Sequence, residues 1–202
     1  MKTNLGVFLA LLFPAPAYAQ GTQPAPATPP ASQSAGKLAD KLINTPGTNW
    51  TVFGTGQTNK RLETDGPQKY PCIRVAVTQK GKNAWDAGAV SPVAKAVAAN
   101  DTVLIAVYLR APDAKDGETL PLPFVGLSGS AAPYTTLISG PVAITNQWKQ
   151  YYIAGRASQA AAAGGAQVSV HLAGDTHVID LGPIRVFDLG DVDPARLQLP
   201  KN

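Results

Sequence analysis

From Trp50 onward, apolar and polar positions alternate with a period of two, in short runs closed by turn residues. The pattern predicts strands at Trp50 to Phe53, Lys60 to Thr64, Cys72 to Gln79, Ala84 to Val90, Thr102 to Arg110 and Phe124 to Leu127. It predicts four more at Thr135 to Ile144, Lys149 to Ala154, Gln167 to Leu172 and His177 to Leu189, the last broken at Gly182-Pro183. The breaks carry turn chemistry: Asp65-Gly66-Pro67, Lys80-Gly81-Lys82-Asn83, Asp116-Gly117, Gly164-Gly165 and Gly174-Asp175. Lys37 to Ile43 reads as a short helix or an N-terminal strand, and Ala157 to Ala163 alone has helical composition. Short strands at this spacing imply an all-β fold, a sandwich or barrel.

Alternation also assigns faces. Val103, Ile105, Val107 and Leu109 point one way, and Leu104, Ala106, Tyr108 and Arg110 the other. Ile73, Val75 and Val77 share a face. Val168, Val170 and Leu172 form a core set, with Gln167, Ser169 and His171 facing outward. Those outward sets combine hydrogen-bonding groups with an aromatic ring, as a sugar-binding groove requires.

Composition narrows the setting. Residues 1–19 have one charge at Lys2, an apolar run from Leu5 to Phe13 and Ala17-Tyr18-Ala19 before Gln20, the pattern of a secretory signal peptide. Residues 20–36 are rich in Pro and Ala and read as a linker. The folded domain is expected at 37–190, and 191–202, DVDPARLQLPKN, as an unstructured C-terminal tail. A secreted or periplasmic location follows, with no membrane span. The net charge of +4 falls to +3 without Lys2, and the basic residues are scattered, so nucleic acid is not an expected partner. Cys72 is the sole cysteine; it cannot form an internal disulfide and reads as a small buried hydrophobe.

Three segments resemble the galactose-binding-like β-jelly-roll carbohydrate-binding modules of families four, nine and twenty-two. The first is Asn83-Ala84-Trp85-Asp86-Ala87 leading to Val90-Ser91-Pro92-Val93. The second is Asn100-Asp101 followed by Val103 to Arg110 and Ala111, similar to the family's Gly-Asp, apolar strand and aromatic-x-Arg-Ala. The third joins Asn146-Gln147-Trp148-Lys149-Gln150-Tyr151, Ala166 to Leu172, and Val178 to Gly190. The sequence departs from the family in having Asn100 where Gly is common and no Asp before Ile184. The resemblance implies a β-sandwich jelly roll and non-catalytic recognition of a polysaccharide or oligosaccharide on one sheet face. It also implies a partnership with a glycoside hydrolase or an envelope component.

Trp85, Tyr108 and Tyr134 are candidate rings for stacking on the C–H face of a sugar; Trp50 and Trp148 read as structural. Arg110, on the face of Tyr108, can fork to hydroxyls or a carboxylate, with a surface ion pair as its plain alternative. Gln167, Ser169 and His171 are expected to complete the face, and His177 to bond glycan or strand neighbours. The spacing of His171, Asp175 and His177 is that of a hairpin and matches no metal motif, so neither metal nor other cofactor is expected. The resemblance allows a structural calcium at Asp188, Asp191 and Asp193, whose plain reading is a solvated acidic stretch. Two other classes stand beside binding: a jelly-roll hydrolase or lyase acting on glycosyl bonds, and a cell-envelope protein-interaction domain. Glu63 and Glu118, the only glutamates, lie beside turns, and no complete catalytic constellation is visible.

Overall fold

The structure, a computed structural model, describes residues 38–202. The expected signal peptide and linker lie outside the described residues. Ten strands lie among the described residues: β1 Thr51–Gly54, β2 Gln57–Leu62, β3 Cys72–Val77, β4 Ala87–Val93, β5 Thr102–Arg110, β6 Leu120–Gly129, β7 Thr136–Ile144, β8 Lys149–Arg156, β9 Ala166–His171 and β10 His177–Asp188. They form two five-stranded antiparallel sheets, β1-β4-β9-β6-β7 and β2-β3-β10-β5-β8. The all-β sandwich expected from the alternation is the observed architecture.

The inner faces meet in one core. Val75, Ile105, Leu109, Ile179, Leu181 and Ile184 from the second sheet pack with Leu122, Leu127, Ile144, Val168 and Val170 from the first. Each is nearly or fully buried, and a Leu, Ile or Val side chain in that state contributes about 1.5–3 kcal/mol. Trp50 lies against this core and donates its indole N–H to the Gly182 carbonyl at 2.8 Å.

The structure corrects the expected elements in four places. Ala84–Asp86 is a 3-10 turn rather than the start of a strand. Gly182-Pro183 does not break β10; it makes an irregularity in the ladder with β5, where register shifts between Leu181 and Ile184. Residues 157–163 form no helix, and Ala161 makes a bridge to Val97. The tail at 191–202 is docked. Leu199 packs near Leu104, Ala106 and Phe187, while the Asn202 carboxamide exchanges two hydrogen bonds, 2.7 and 2.8 Å, with the backbone of Tyr152 on edge strand β8. Such cover removes an open strand edge, which is otherwise a template for aggregation. At the other end of the chain, Leu38–Asp40 is a brief helical turn, after which Leu42 and Gly47 bridge to Phe187 and Ile184.

A buried ion cluster ties three strands of the second sheet. Asp180 of β10, opposite Arg74 of β3 and Arg110 of β5, has 0% side-chain exposure. Arg74 donates to its two oxygens at 2.7 and 2.9 Å, and Arg110 Nε donates at 2.8 Å. The hydrogen bond to Asp180 is the main cause of the raised pKa of Arg74. A carboxylate removed from water is tolerated only with such partners. Asp180→Ala leaves two guanidinium groups clustered without their counter-charge and is expected to lower stability by about 3–5 kcal/mol. Urea denaturation checks this; a loss below about 1 kcal/mol would place the cluster among ordinary surface pairs.

Candidate functional site

The outer face of the first sheet forms a groove of about 640 Å³. Its floor follows from alternation on two neighbouring strands. Gln167, Ser169 and His171 project from β9, and Phe124 and Ser128 from β6, with Ser128 paired to Gln167. The hydroxyls of Ser128 and Ser169 lie 3.0 Å apart and bond each other. Phe53 comes from edge strand β1, and its ring lies over Gly88 of β4. A Cβ at Gly88 would stand 2.8 Å from that ring and 2.5 Å from the Val170 carbonyl, so only glycine admits the ring there.

The rims carry aromatic rings. Trp85 stands on the Ala84–Asp86 turn and is 60% exposed. That turn is fixed by a capping box: Asn83 N–H donates to the Asp86 carboxylate at 2.8 Å, and the Asn83 side chain accepts from the Asp86 backbone. The Asn83 bond also holds the Asp86 carboxyl below its usual pKa. Tyr134, 59% exposed, follows Pro133 in a loop closed by its N–H to the Ala131 carbonyl at 2.8 Å. Its φ of 54° lies in the left-handed region, an arrangement that costs energy outside glycine and concentrates at functional sites.

His171 links floor and rim. Its imidazole stacks on Phe124 with centroids 4.1 Å apart and planes 12° apart, and meets Trp85 edge-on at 6.2 Å. Burial pushes its pKa down, so the ring is neutral at pH 7. The groove lining contains no Lys, Arg, Asp or Glu.

Four of the seven expected site residues therefore come together: Trp85, Gln167, Ser169 and His171. Tyr108 and Arg110 do not join them. They lie on β5, in the other sheet, with the core between. Alternation orders residues along one strand and does not say which sheet the strand enters. Arg110 is committed to Asp180, and its guanidinium lies 4.9 Å from the centroid of the Trp148 ring. Trp148 in turn donates to the Asp65 carbonyl at 2.8 Å. His177 sits in an adjoining recess with Leu120, Pro121, Val142, Leu172 and Asp175, and His171 lines both that recess and the groove. Burial lowers its pKa, against the opposing pull of Asp175.

Asp188, Asp191 and Asp193 turn to separate partners: the Gly190 N–H, Arg156 and the Ala195 N–H. Among the described residues no three His, Cys, Asp or Glu side chains are placed to hold a metal ion. Cys72 is fully buried, and burial, with Asp180 nearby, pushes its thiol up to about 11. Sequence reading passed over Phe53, Phe124 and Ser128. The alternation of Phe124, Gly126, Ser128 and Ser130 was the available signal for two of them.

The fold is that of the jelly-roll carbohydrate-binding modules. No family model and no curated protein sequence matches the chain. Among solved structures, an arabinose-bound MgGH51 α-L-arabinofuranosidase superposes with a TM-score of 0.53 at 15% identity, covering 74% of this chain and 26% of that one. The CBM22-1-GH10 modules of Clostridium thermocellum xylanase 10B, complexed with xylohexaose, give 0.52 at 10% identity, covering 76% and 29%. This chain thus spans little more than a quarter of either. The CBM22-1 xylan-binding domain of Paenibacillus barcinonensis Xyn10C gives 0.52 at 12% identity, covering 75% of this chain and 96% of the domain.

The two histidines, the only ones in the chain, set a pH response. Each has a folded pKa below the ordinary 6.5, so below that value the unfolded chain binds more protons than the folded one. Their contribution to stability is complete above pH 6.5 and declines as pH falls from there toward the folded pKa values. Both imidazole resonances are expected to titrate below 6.5 by NMR, with a melting temperature that drops between about pH 7 and pH 5. An imidazole titrating above 6.5 would contradict the burial assigned to it.

Proposed function

We propose that this domain is a non-catalytic carbohydrate-binding protein that takes a neutral polysaccharide chain in the groove of the β1-β4-β9-β6-β7 sheet. The observation that carries the reading is the pairing of two exposed rings, Trp85 and Tyr134, with a hydroxyl- and amide-bearing floor free of charge. A pyranose has an apolar C–H face and an equatorial rim of hydroxyls. The rings fit the first, and Gln167, Ser128 and Ser169 fit the second.

The fold shared with xylan-binding modules supports this reading and suggests a xylan- or glucan-type backbone. The groove lining offers no carboxylate pair, which favours binding over glycosyl-bond hydrolysis. The leader expected at 1–19 supports a secreted or periplasmic site of action, where a glycoside hydrolase or envelope component is the natural partner.

Calorimetry of the full chain with xylohexaose and cellohexaose tests the proposal. Binding to at least one is expected, with Trp85→Ala and Tyr134→Ala each weakening it about tenfold. Binding to none of xylan, β-glucan or chitin overturns the function. Binding that both variants leave unchanged overturns the choice of groove. Release of reducing ends or unsaturated products would replace binding by catalysis.

A further inference from the structure

The other side of the sandwich carries a second groove, of about 370 Å³, on the outer face of the β2-β3-β10-β5-β8 sheet. Its lining includes Thr48, Gln68, Tyr70, Tyr108 and Arg185. We propose that it is a second binding site, for a uronate unit of an acidic polysaccharide. This site stands apart from the first groove and holds whether or not that groove binds a neutral chain.

The groove is preformed. Its wall is the loop Gly66 to Tyr70, closed by Gly66 N–H to the Tyr70 carbonyl at 2.9 Å, Lys69 N–H to the Gly66 carbonyl at 3.1 Å and Tyr70 N–H to the Pro67 carbonyl at 3.0 Å. A Cβ at Gly66 would stand 2.2 Å from the Tyr70 carbonyl oxygen, so the loop closes this tightly only on glycine. Gln68 and Lys69 have φ of 54° and 63°, and Pro67 and Pro71 stiffen both ends. This rigid loop holds the Tyr70 ring 59% exposed.

The charge is one-sided. Arg185 is the only charged residue in the lining, which contains no carboxylate. Arg61, Arg74, Arg110 and Arg156 are each held by a carboxylate. Arg185, exposed and opposite the small Ala106 on β5, has neither ion pair nor side-chain hydrogen bond among the described residues. A free guanidinium fork matches a planar carboxylate in bidentate geometry. The Tyr70 and Tyr108 rings suit the C–H face of the same sugar, and the Thr48 hydroxyl and Gln68 carboxamide its hydroxyls. The volume is at the small end of ligand pockets, about 300–1,000 Å³, which suits a unit or two rather than a long stretch. A polyproline peptide would use the rings and leave the guanidinium without a partner, so the acidic sugar is the better fit.

The test is calorimetry of the full chain with tetrasaccharides of galacturonate, glucuronate and mannuronate, at low and high salt. At least one is expected to bind, more weakly as salt rises, with Arg185→Gln reducing affinity tenfold or more and Tyr70→Ala reducing it as well. Circular dichroism confirms that both variants fold, and Trp85→Ala is expected to leave uronate binding unchanged. Binding of none of the three, or binding untouched by Arg185→Gln and Tyr70→Ala, overturns the site. So does uronate binding that disappears in Trp85→Ala, or a proline-rich peptide that binds through Tyr70 where uronates do not. Xylohexaose binding in Arg185→Gln reports only on the first groove, so failure of either site is read separately.

Discussion

A strand has two faces, and here one face of each central strand is committed to a single shared core. Val75 on β3, Ile105 and Leu109 on β5, and Val168 and Val170 on β9 are all fully buried in it. Everything available to a ligand must then come from the outer faces and the loops. The two sheets use their outer faces differently. The first leaves its central strands under an open groove with a floor of serines and a glutamine. The second covers part of its face with chain: Leu42 from one end of the domain and Leu199 from the other pack near Leu104, Ala106 and Phe187.

Asp180 determines what the rest of that second face can do. A fully buried carboxylate needs full hydrogen-bonding partnership, and it draws in both Arg74 and Arg110. Trp148 stacks over Arg110 and is anchored to Asp65, which further shields the cluster. Cys72 lies near the same charges, and a buried thiol whose pKa is raised to about 11 is inert as a nucleophile at neutral pH. The groove beside Tyr70 begins where this network ends, and Arg185 is the arginine of the sheet that has no carboxylate partner among the described residues.

Much of this was legible in the sequence, because period-two patterning is a local property. The inward sets of β3, β5 and β9 were read correctly, as were the roles of Trp50 and Trp148 as structural residues. Strand pairing is not local. Nothing in Tyr108 or Arg110 tells which sheet β5 joins, so two outward sets that lie on opposite sides of the sandwich were read as one face. β6 was read short, as Phe124 to Leu127; it runs on through Pro121 and Pro123, which the ladder to β7 absorbs with a register shift between Leu122 and Val125. Phe124, the stacking partner of His171, lay inside the predicted strand, but its outward face was not read. The docking of the tail was hidden for a similar reason: its polar composition gives no sign that Leu199 and Asn202 have partners more than forty residues away.

The aromatic rims of the first groove share a feature that bears on recognition. Trp85 is held by a capping box and by edge contact with His171, and Tyr134 by a closed loop in a left-handed conformation. The floor beneath them is β-sheet. The backbone under each ring is therefore set before a ligand arrives, and for Trp85 the His171 contact restrains the ring as well; ordering side chains on association costs about 0.5–1.5 kcal/mol apiece. A polysaccharide offers shallow, repetitive contacts, each worth little, so a groove that had to organise itself around every sugar would lose much of the gain. The neutral state of His171 belongs to the same economy. A charged imidazole stacked on Phe124 would need a counter-charge, and the groove lining contains none. The absence of charge and the fixed backbone of the rims thus act together, and both suit the uncharged, weakly contacting chain proposed for this groove.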